Sequence, residues 1–403
     1  MTDSTNQAKN RLLIPILTLG VFGILNTEMG VVGIIPIIAR QFDISVPDAG
    51  WMVSLFALVI AFAAPVVPLF FSKMNRKTAM TLALSVFVIS NIVSIFAQSY
   101  TVQLVFRAIP ALFHPVYITI AFTTAAASVS KQDAPKAVAK LFIGVSAGMV
   151  LGVPITSFIA DEWGFSTAMV FFTAVNVMVL AATLLFVPSM PAGNKLTYGE
   201  QLGVLKKMIL WLSVTAAILM NAVMFGFYSY LSDYLQSVTL LPFKIISLLL
   251  FVYGMANIIG NVFAGRLLAR APSPTLMTMP VLLLALYALL FVMGKSAFAV
   301  TAILLPLGIA VGIANNGNQY MVSTAAPEAP EFTNGLFLTA ANLGTTLGTF
   351  VCGLFISGWG AQYAILSAML FAALGIIGIA LRTYLYKPKG PSENYATPTL
   401  AST

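Results

Sequence analysis

The chain has 403 residues, of which 59% are apolar and 8% are charged, with 20 lysines and arginines against 12 aspartates and glutamates. Because a water-soluble domain carries about 25% charge, these proportions exclude a soluble protein of this length. The apolar content also excludes a disordered chain, and the single cysteine excludes a disulfide scaffold. One histidine and one cysteine are too few for a zinc site, and without a basic stripe outside hydrophobic flanks nucleic-acid binding is excluded as well.

Apolar segments, divided by charged or turn-rich breaks, predict twelve membrane-spanning helices. In chain order they cover residues 12–37, 49–71, 78–97, 101–126, 141–160, 166–187, 209–231, 245–264, 275–293, 297–321, 334–356 and 362–384. We therefore expect an all-α integral membrane protein with two pseudo-symmetric six-helix bundles. The predicted bundles are 1–187 and 209–385, joined by a central linker at 188–208 and followed by a tail at 386–403.

Lysines and arginines are distributed unevenly between the two sides of these spans. With the N-terminus placed in the cytoplasm, 16 of the 20 lie in cytoplasmic segments. Cytoplasmic loops of membrane proteins carry such an excess. Both termini, the linker and the tail are therefore expected on the cytoplasmic side of a bacterial inner membrane. The net charge of +8 then follows from topology and requires no anionic partner.

The two halves of the chain share a spaced pattern of glycine and tryptophan. Four residues recur 196 positions later: Gly148 as Gly344, Gly152 as Gly348, Trp163 as Trp359 and Gly164 as Gly360. Internal repeats of this kind are typical of transporters, whose substrate site lies near the midplane between the repeats. The pattern therefore indicates a transporter built by duplication.

Away from the ends of the predicted spans, three residues that are charged or can take up a proton near neutral pH lie within them, where a charge costs at least about 2.5–3.5 kcal/mol at a helix centre. Glu28 can carry a proton across the membrane, or it can be a structural carboxylate paired with a cation. Arg107 lies at a similar depth and cannot lose its charge, so it can form a fixed ion pair with Glu28 or respond to the substrate. His114 can relay protons, contact the substrate, or bond a neighbouring helix as a neutral imidazole.

Uncharged polar and aromatic residues form stripes along several predicted spans. Gln103 and Tyr117 share one face of the fourth span with Arg107 and His114. The residues predicted to line a polar cavity are Gln103, Tyr117, Asn221, Tyr228, Tyr253, Asn257, Asn315, Asn316, Gln319 and Asn342. For any single asparagine, a hydrogen bond between helices is the alternative. Taken together, these residues suit a neutral or weakly polar ligand.

Small residues form a ladder in the fifth span, at Gly144, Gly148 and Gly152, and Pro154 follows it. The ladder predicts close helix packing, and the proline adds a kink at which the helix could bend. The sequence contains no P-loop, no HExxH and no G-x-S-x-G motif. We therefore expect no enzyme, no cofactor and no ATP hydrolysis, so that any pumping must draw on an ion gradient.

Several of these motifs match those of a known family. Thr27 and Glu28 begin the first-helix pattern T-E-F-x-x-x-G-x-x-P-x-I-A, with Met29 in place of the phenylalanine. Arg107 and His114 stand where fourth-helix residues of that family stand, and the glycine ladder with Pro154 matches its fifth-helix motif. Over nearly its whole length the chain resembles the major facilitator superfamily, in the twelve-helix drug:proton antiporter group. It is most similar to the branch of sugar-efflux, arabinose-efflux-like and purine-efflux proteins.

The loop between the second and third spans departs from the superfamily pattern G-x-L-x-D-R-x-G-R-K. Ser72 replaces the aspartate and Asn75 replaces the second glycine, whereas Arg76 and Lys77 are kept. The copy of the loop in the second half keeps Gly265 and Arg266. The resemblance implies a gating role for these residues, which is weakened or moved if the missing aspartate carries it.

The resemblance also implies two bundles that rock about a central cavity. Glu28 would be the proton site, Arg107 its electrostatic partner, and His114 a relay or ligand contact. We therefore expect a monomeric, proton-coupled efflux antiporter in the lipid bilayer, for a small neutral or amphiphilic molecule such as a sugar, nucleoside or drug. Proton-coupled uptake or facilitated diffusion of a metabolite is the alternative, and a non-transporting membrane sensor is a remote one.

Overall fold

The computed structural model describes residues 2–71, 73–130, 134–191 and 201–385. Within these ranges the chain forms helices and no strand. Twelve helices are long and apolar enough to cross a membrane, which confirms the predicted number. Spans 1 to 12 are Leu12–Phe42, Val46–Ala63, Arg76–Phe96, Tyr100–Ala127, Lys136–Trp163, Phe165–Phe186, Met208–Ser229, Phe243–Arg270, Pro272–Met293, Ala297–Ala325, Phe332–Trp359 and Ala361–Leu385.

The two ends of the bundle are named by the spans that begin or end there. The near face is the end at which span 1 begins and span 12 ends, and the far face is the end at which span 1 ends and span 8 begins. The predicted linker belongs to the near face, and its second part contains a short 3₁₀ helix, Gln201–Lys206. Residues 192–200 of the linker and the predicted tail at 386–403 lie outside the described residues.

Span 1 changes its helical geometry after Gly30, two residues beyond Glu28. Its helices are Thr2–Gly30, the 3₁₀ helix Val31–Ile34, and Ile35–Phe42. Pro36 has no amide hydrogen, so the carbonyl oxygen of Val32 loses its helical donor. That oxygen instead accepts a hydrogen bond from the hydroxyl of Ser232, which follows span 7, at 3.4 Å. The end of span 1 is therefore tied to the second half of the chain.

Prolines also interrupt spans 2 and 5. The prediction of one continuous second span to residue 71 was wrong, because the helix Trp51–Ala63 is followed by a turn at 64–66 that contains Pro65, and then by Val67–Phe71. Span 5 is built from two helices, Ala134–Val150 and Gly152–Trp163. They are separated at Leu151, in the turn where Pro154 cannot donate to the carbonyl four residues before it.

The packing of the spans repeats between the two halves of the chain. Span 1 packs against spans 5 and 6, and span 7 packs in the same way against spans 11 and 12. Span 2 packs against span 4, and span 8 against span 10. Between the halves, span 2 contacts span 11 and span 5 contacts span 8. Because span 8 corresponds to span 2 and span 11 to span 5, these two contacts are equivalent under exchange of the halves.

The glycine repeat has the same geometry in both halves. A Cβ atom at Gly148 would lie 2.6 Å from Leu25 Cβ, and one at Gly344 would lie 2.6 Å from Asn221 Cβ. Leu25 and Asn221 are also 196 positions apart. In each copy the absence of a side chain therefore lets the span approach its neighbour closely.

The repeated Trp-Gly pair ends spans 5 and 11. Gly164 has φ 85° and Gly360 has φ 103°, and both have ψ close to 170°. Only glycine adopts this region without strain. The same residue thus ends the same helix in both halves.

The two halves meet at the far face through several polar contacts. Tyr230 Oη donates to the carbonyl oxygen of Pro47 at 3.5 Å, and Lys244 Nζ pairs with Glu162 Oε1 at 2.8 Å. Further contacts across the boundary are Ser232 with Val32, Ser247 with Ser157, and Thr346 with Ser54. Most of these contacts lie near the far face and join the two halves there.

Candidate functional site

A carboxyl group and an imidazole meet in the interior of the first six spans. Glu28 in span 1 and His114 in span 4 are 9% and 4% exposed, and Glu28 Oε2 lies 3.0 Å from His114 Nε2. Among the described residues, neither imidazole nitrogen forms an aligned hydrogen bond, and neither does Glu28 Oε2, so the two groups are in close contact without a well-directed hydrogen bond. The pair can hold one proton or two, because a carboxyl group and an imidazole can each take one up.

Arg107 lies beside this pair but directs its donors at the main chain. Its Nη1 and Nη2 donate to the carbonyl oxygens of Thr27 and Glu28, both at 2.6 Å, and its Nε donates to the carbonyl oxygen of Met52 at 3.2 Å. Each of the three guanidinium nitrogens therefore has a carbonyl acceptor. The sequence predicted the Glu28 carboxylate as the partner of Arg107, whereas the structure places that carboxylate against His114.

Two residues next to this pair, Phe56 and Asn176, were not predicted from the sequence. The ring of Phe56 lies under Arg107, whose Cζ is 4.4 Å from the ring centroid, and edge-on to His114. Asn176 Nδ2 donates to Thr27 Oγ1 at 2.8 Å. Phe56 is one of 29 phenylalanines in an apolar chain, so its position in the sequence does not distinguish it.

A cavity of about 290 Å³ lies between spans 5, 7, 8 and 10. Six of the ten residues predicted to line a cavity surround it: Tyr228, Tyr253, Asn257, Asn315, Asn316 and Gln319. The rings of Tyr228 and Tyr253 stack with centroids 5.0 Å apart at 19°. The other lining residues include Ser146, Met149, Met224 and Asn261, and none of the described residues that line the cavity is charged.

The cavity amides are partly engaged with each other. Asn316 Nδ2 donates to Asn261 Oδ1 at 2.7 Å, and Asn261 Nδ2 donates to Asn257 Oδ1 at 3.2 Å. Within the described part of the chain, the amide of Asn315 forms no such bond. A second cavity of about 260 Å³ shares Asn316 and Gln319 and is also lined by Gly265 and Asn334, so the polar surface continues toward the near face.

The other four residues predicted for the cavity lie outside it. Gln103 donates to the carbonyl oxygen of Ser94 at 2.6 Å and is fully buried. The hydroxyl of Tyr117 packs against Gly20 of span 1. The amides of Asn221 and Asn342 donate to carbonyl oxygens one turn earlier in their own helices. Gln103 thus forms the hydrogen bond between helices that was the alternative to lining a cavity, whereas Asn221 and Asn342 bond within their own helices and Tyr117 packs against span 1.

The residues predicted for packing and gating occupy two environments. The span 5 ladder packs on span 1, since a Cβ atom at Gly144 would lie 2.4 Å from the carbonyl oxygen of Thr18 and one at Gly152 would lie 2.5 Å from Asn26 Oδ1. At the near face, Lys77 Nζ donates to the carbonyl oxygen of Leu184 at 2.7 Å. There Arg76 donates to Thr124 Oγ1 at 3.5 Å, Asn75 caps span 3, and Arg266 is exposed. Ser72 lies outside the described residues.

Two buried charged residues were not predicted. Arg382 in span 12 is 9% exposed and its Nε donates to Ser213 Oγ at 2.7 Å. Asp233 is 8% exposed in the short helix Leu231–Ser237 between spans 7 and 8, and its burial raises its pKa to about 6. Sequence reasoning placed both in loops or at helix ends, because each follows or ends an apolar run. Their burial comes from tertiary packing.

Comparison with known proteins identifies the class to which this fold and this arrangement belong, that of multi-pass membrane transporters. The sequence model described as Major Facilitator Superfamily matches residues 17–333. The chain belongs to the Major Facilitator Superfamily, and it is a transporter rather than an enzyme.

Curated relatives cover nearly the whole chain. The inner membrane transport protein YdhP of Escherichia coli (strain K12) is 27% identical over 362 residues, which cover 90% of this chain and 93% of the relative. A probable sugar efflux transporter of Pasteurella multocida (strain Pm70) is 21% identical over 388 residues, which cover 96% of each chain.

A solved structure supports the fold. A bacterial homologue of the human lysosomal transporter Spinster, in an inward-facing and unoccupied conformation, superposes with a TM-score of 0.78 at 15% sequence identity. The superposition covers 93% of this chain and 97% of that one. At this identity the likeness concerns the fold alone.

Proposed function

We propose that this transporter is a proton-coupled efflux antiporter for a small neutral or amphiphilic molecule, such as a sugar, a nucleoside or a drug, and that it works by alternating access. The observation that carries the proposal is the buried contact between Glu28 and His114, beside an arginine whose donors are engaged by main-chain carbonyls. Because buried ionisable groups in membrane helices are costly, such a pair is a functional candidate.

The pair can convert a proton into a change of force between spans 1 and 4. With one shared proton, Glu28 and His114 attract each other across 3.0 Å. A second proton makes the carboxyl neutral while the imidazole is charged, so the ionic attraction is lost. Arg107 keeps its charge and its three carbonyl partners in both cases. Protonation therefore changes the contact between Glu28 and His114, whereas the contacts of Arg107 stay the same.

Span 5 connects this pair to the cavity. Val150 lines the cavity, and Gly152 contacts Asn26, the residue before Thr27. The break at Leu151 lies between these two contacts. A shift of the second helix of span 5 therefore acts on the turn of span 1 that holds Arg107 and Glu28.

The chemistry of the cavity supports a ligand without net charge. Its polar groups are amides and hydroxyls, and its stacked tyrosines offer an aromatic surface to a ring or an apolar face. The direction of transport rests on similarity to relatives named as sugar efflux transporters and on the fifth-helix motif. Proton-coupled uptake and facilitated diffusion are the competing functions.

The arrangement in the membrane completes the proposal. Residues 1–187 and 209–385 form the two bundles that move against each other, with 188–208 as linker and 386–403 as tail. The near face is cytoplasmic because it collects most lysines and arginines. The protein acts as a monomer in the bacterial inner membrane.

Transport by the purified protein in liposomes tests this proposal. A panel of sugars, nucleosides and amphiphilic drugs is first screened for thermal stabilisation, and the best stabiliser is then followed under an imposed pH gradient. In the wild type, we expect the substrate to move in the direction opposite to the proton flow that the gradient drives. A Glu328→Gln control, which changes an exposed glutamate, should behave in the same way. Glu28→Gln should bind the ligand but lose coupling. Movement that ignores the gradient, or full coupling by Glu28→Gln, contradicts the proposal.

A further inference from the structure

A buried carboxylate without an ionic partner lies at the far face. Asp233 sits in the helix Leu231–Ser237, in which all residues from 231 to 235 are buried. Among the described residues, no group donates a hydrogen bond to its carboxylate and no cation pairs with it. Burial raises the pKa of Asp233 from 3.8 to about 6, with no neighbouring charge contributing to the rise. An acid in such a place is stable when it is neutral.

The titratable groups around this helix are engaged elsewhere or exposed. It packs against the ends of spans 1 and 7 and the starts of spans 8 and 12. Tyr234 donates to the carbonyl oxygen of Leu290 at 3.0 Å, and Tyr230 donates to that of Pro47. Other titratable groups at this end of the molecule are Arg40 and Asp43 at the end of span 1, Lys244 in span 8 paired with Glu162, Cys352 in span 11 and Tyr363 at the start of span 12.

The helix that carries Asp233 lies across the boundary between the two halves. Ser232 bonds the freed carbonyl of Val32 at 3.4 Å, and Tyr230 bonds Pro47 at 3.5 Å. Both bonds are long and therefore weak. If the far face opens along this boundary, these bonds separate and water reaches the helix, including the carboxyl group that the closed face shields.

We propose that Asp233 is a second protonation site, which holds its proton more tightly when the far face is closed than when that face opens. The site is separate from the pair of Glu28 and His114, which lies deeper in the first half. It rests on the alternating access proposed above, and it adds a reason why the far face closes.

The sign of the effect follows from linkage. The closed form holds the proton of Asp233 more tightly than the open form does, so acid favours closure. The pKa of Asp233 is about 6 in the closed form and the ordinary 3.8 when the carboxyl is hydrated. The ratio of open to closed protein therefore rises with pH by up to ~100-fold between these two values, and it is constant above the pKa of the closed form. Asparagine cannot ionise, so Asp233→Asn should keep, at every pH, the low ratio of open to closed protein that the wild type shows in acid.

Distances across the far face measure this ratio directly. Spin labels on Gln98→Cys and Lys295→Cys, both exposed at the far face in different halves, are introduced in a Cys352→Ser background. Distance distributions by double electron–electron resonance are recorded in lipid nanodiscs between pH 4 and 8. The control is Asp43→Asn, which makes the same chemical change at an exposed far-face aspartate, with φ 50° that asparagine tolerates.

In the wild type and in Asp43→Asn, we expect the long-distance population to grow between pH 4 and 6. In Asp233→Asn the long-distance population should stay small at every pH, whereas in Asp233→Glu it should again grow with pH. If Asp233→Asn does not fold, Asp233→Ser takes its place. A pH response that Asp233→Asn or Asp233→Ser retains, or a wild type with no response, overturns the proposal. The assay requires no transport, so its outcome is independent of whether a proton gradient drives the substrate.

Discussion

The glycine repeat allows packing and coupling to be separated by one pair of substitutions. Gly148→Ala places a Cβ atom 2.6 Å from Leu25 Cβ and 3.2 Å from the backbone nitrogen of Asn26. Gly344→Ala places one 2.4 Å from the carbonyl oxygen of Ile218 and 2.6 Å from Asn221 Cβ. Ordinary contact begins at 3.4 Å, so each neighbouring helix must move by roughly 0.8 Å or more. Overpacking of this kind costs about 1–3 kcal/mol, and both variants should lose stability.

Only the first of these variants displaces the charged site. Leu25 and Asn26 precede Thr27 and Glu28, whose carbonyl oxygens accept from Arg107 at 2.6 Å. A movement of roughly 0.8 Å takes such bonds beyond the usual 2.7–3.2 Å range, and it also disturbs the contact with His114. Because a displacement of about 1 Å can cost a functional site about 100-fold, Gly148→Ala should lower proton-coupled transport at least tenfold. Gly344→Ala moves a helix of the other half, and its coupling should survive.

Two assays read these effects on the same purified proteins. Thermal unfolding in detergent measures the loss of stability, and liposome transport under a pH gradient measures coupling. Gly358→Ala is the control for both, because a Cβ atom there has no neighbour within 4 Å among the described residues. Equal losses of coupling in Gly148→Ala and Gly344→Ala would show that coupling follows general packing and would refute the argument.

Three further outcomes follow from single features. Gly164→Ala and Gly360→Ala force alanine to φ near 85° and 103° without crowding, so both should lower the unfolding temperature by similar amounts, with about 1–3 kcal/mol of strain each. Tyr228→Ala removes one ring of the stacked pair and should raise the half-saturating substrate concentration roughly tenfold, while proton coupling per molecule transported stays unchanged. Lys207 lowers the pKa of the exposed Glu328 carboxyl from 4.5. The small stability difference between wild type and Lys207→Met should therefore be present at neutral pH and fade as the pH falls below 4.5, which unfolding at several pH values measures.

The sequence predicted the helices well because lipid imposes a simple requirement on them. A span must be apolar over about 20 residues, and that pattern is visible along the chain without knowledge of neighbours. Prolines inside apolar runs limited the prediction, since the second span was extended across Pro65, where the helix is interrupted. The glycine repeat was readable because close approach of two helices requires glycine at fixed positions.

The contents of the sites were harder to predict, because a polar stripe does not reveal what its residues face. Tyr228 and Tyr253 line the cavity, whereas Gln103 is fully buried and donates a hydrogen bond to the carbonyl oxygen of Ser94 near the end of span 3. Asp233 was missed because the chain around it resembles a loop after an apolar run. Its burial depends on the end of span 1, which lies 200 residues earlier and contacts its helix through Val32 and Ser232.

The position of Arg107 changes which residue controls the proton in the proposed mechanism. A guanidinium bound to the Glu28 carboxylate would compete with the proton directly, and substrate would have to break an ion pair to load the site. Here the guanidinium is held by carbonyl oxygens of Thr27, Glu28 and Met52, and it needs no carboxylate to satisfy its donors. The group in contact with the Glu28 carboxylate is instead the imidazole of His114. In this mechanism, a proton can bind Glu28 once its side chain turns away from His114, and a small shift of span 1 against span 4 can produce that movement. In the proposed mechanism, the buried arginine therefore fixes the backbone of span 1, and the exchangeable proton belongs to the Glu28 and His114 side chains beside it.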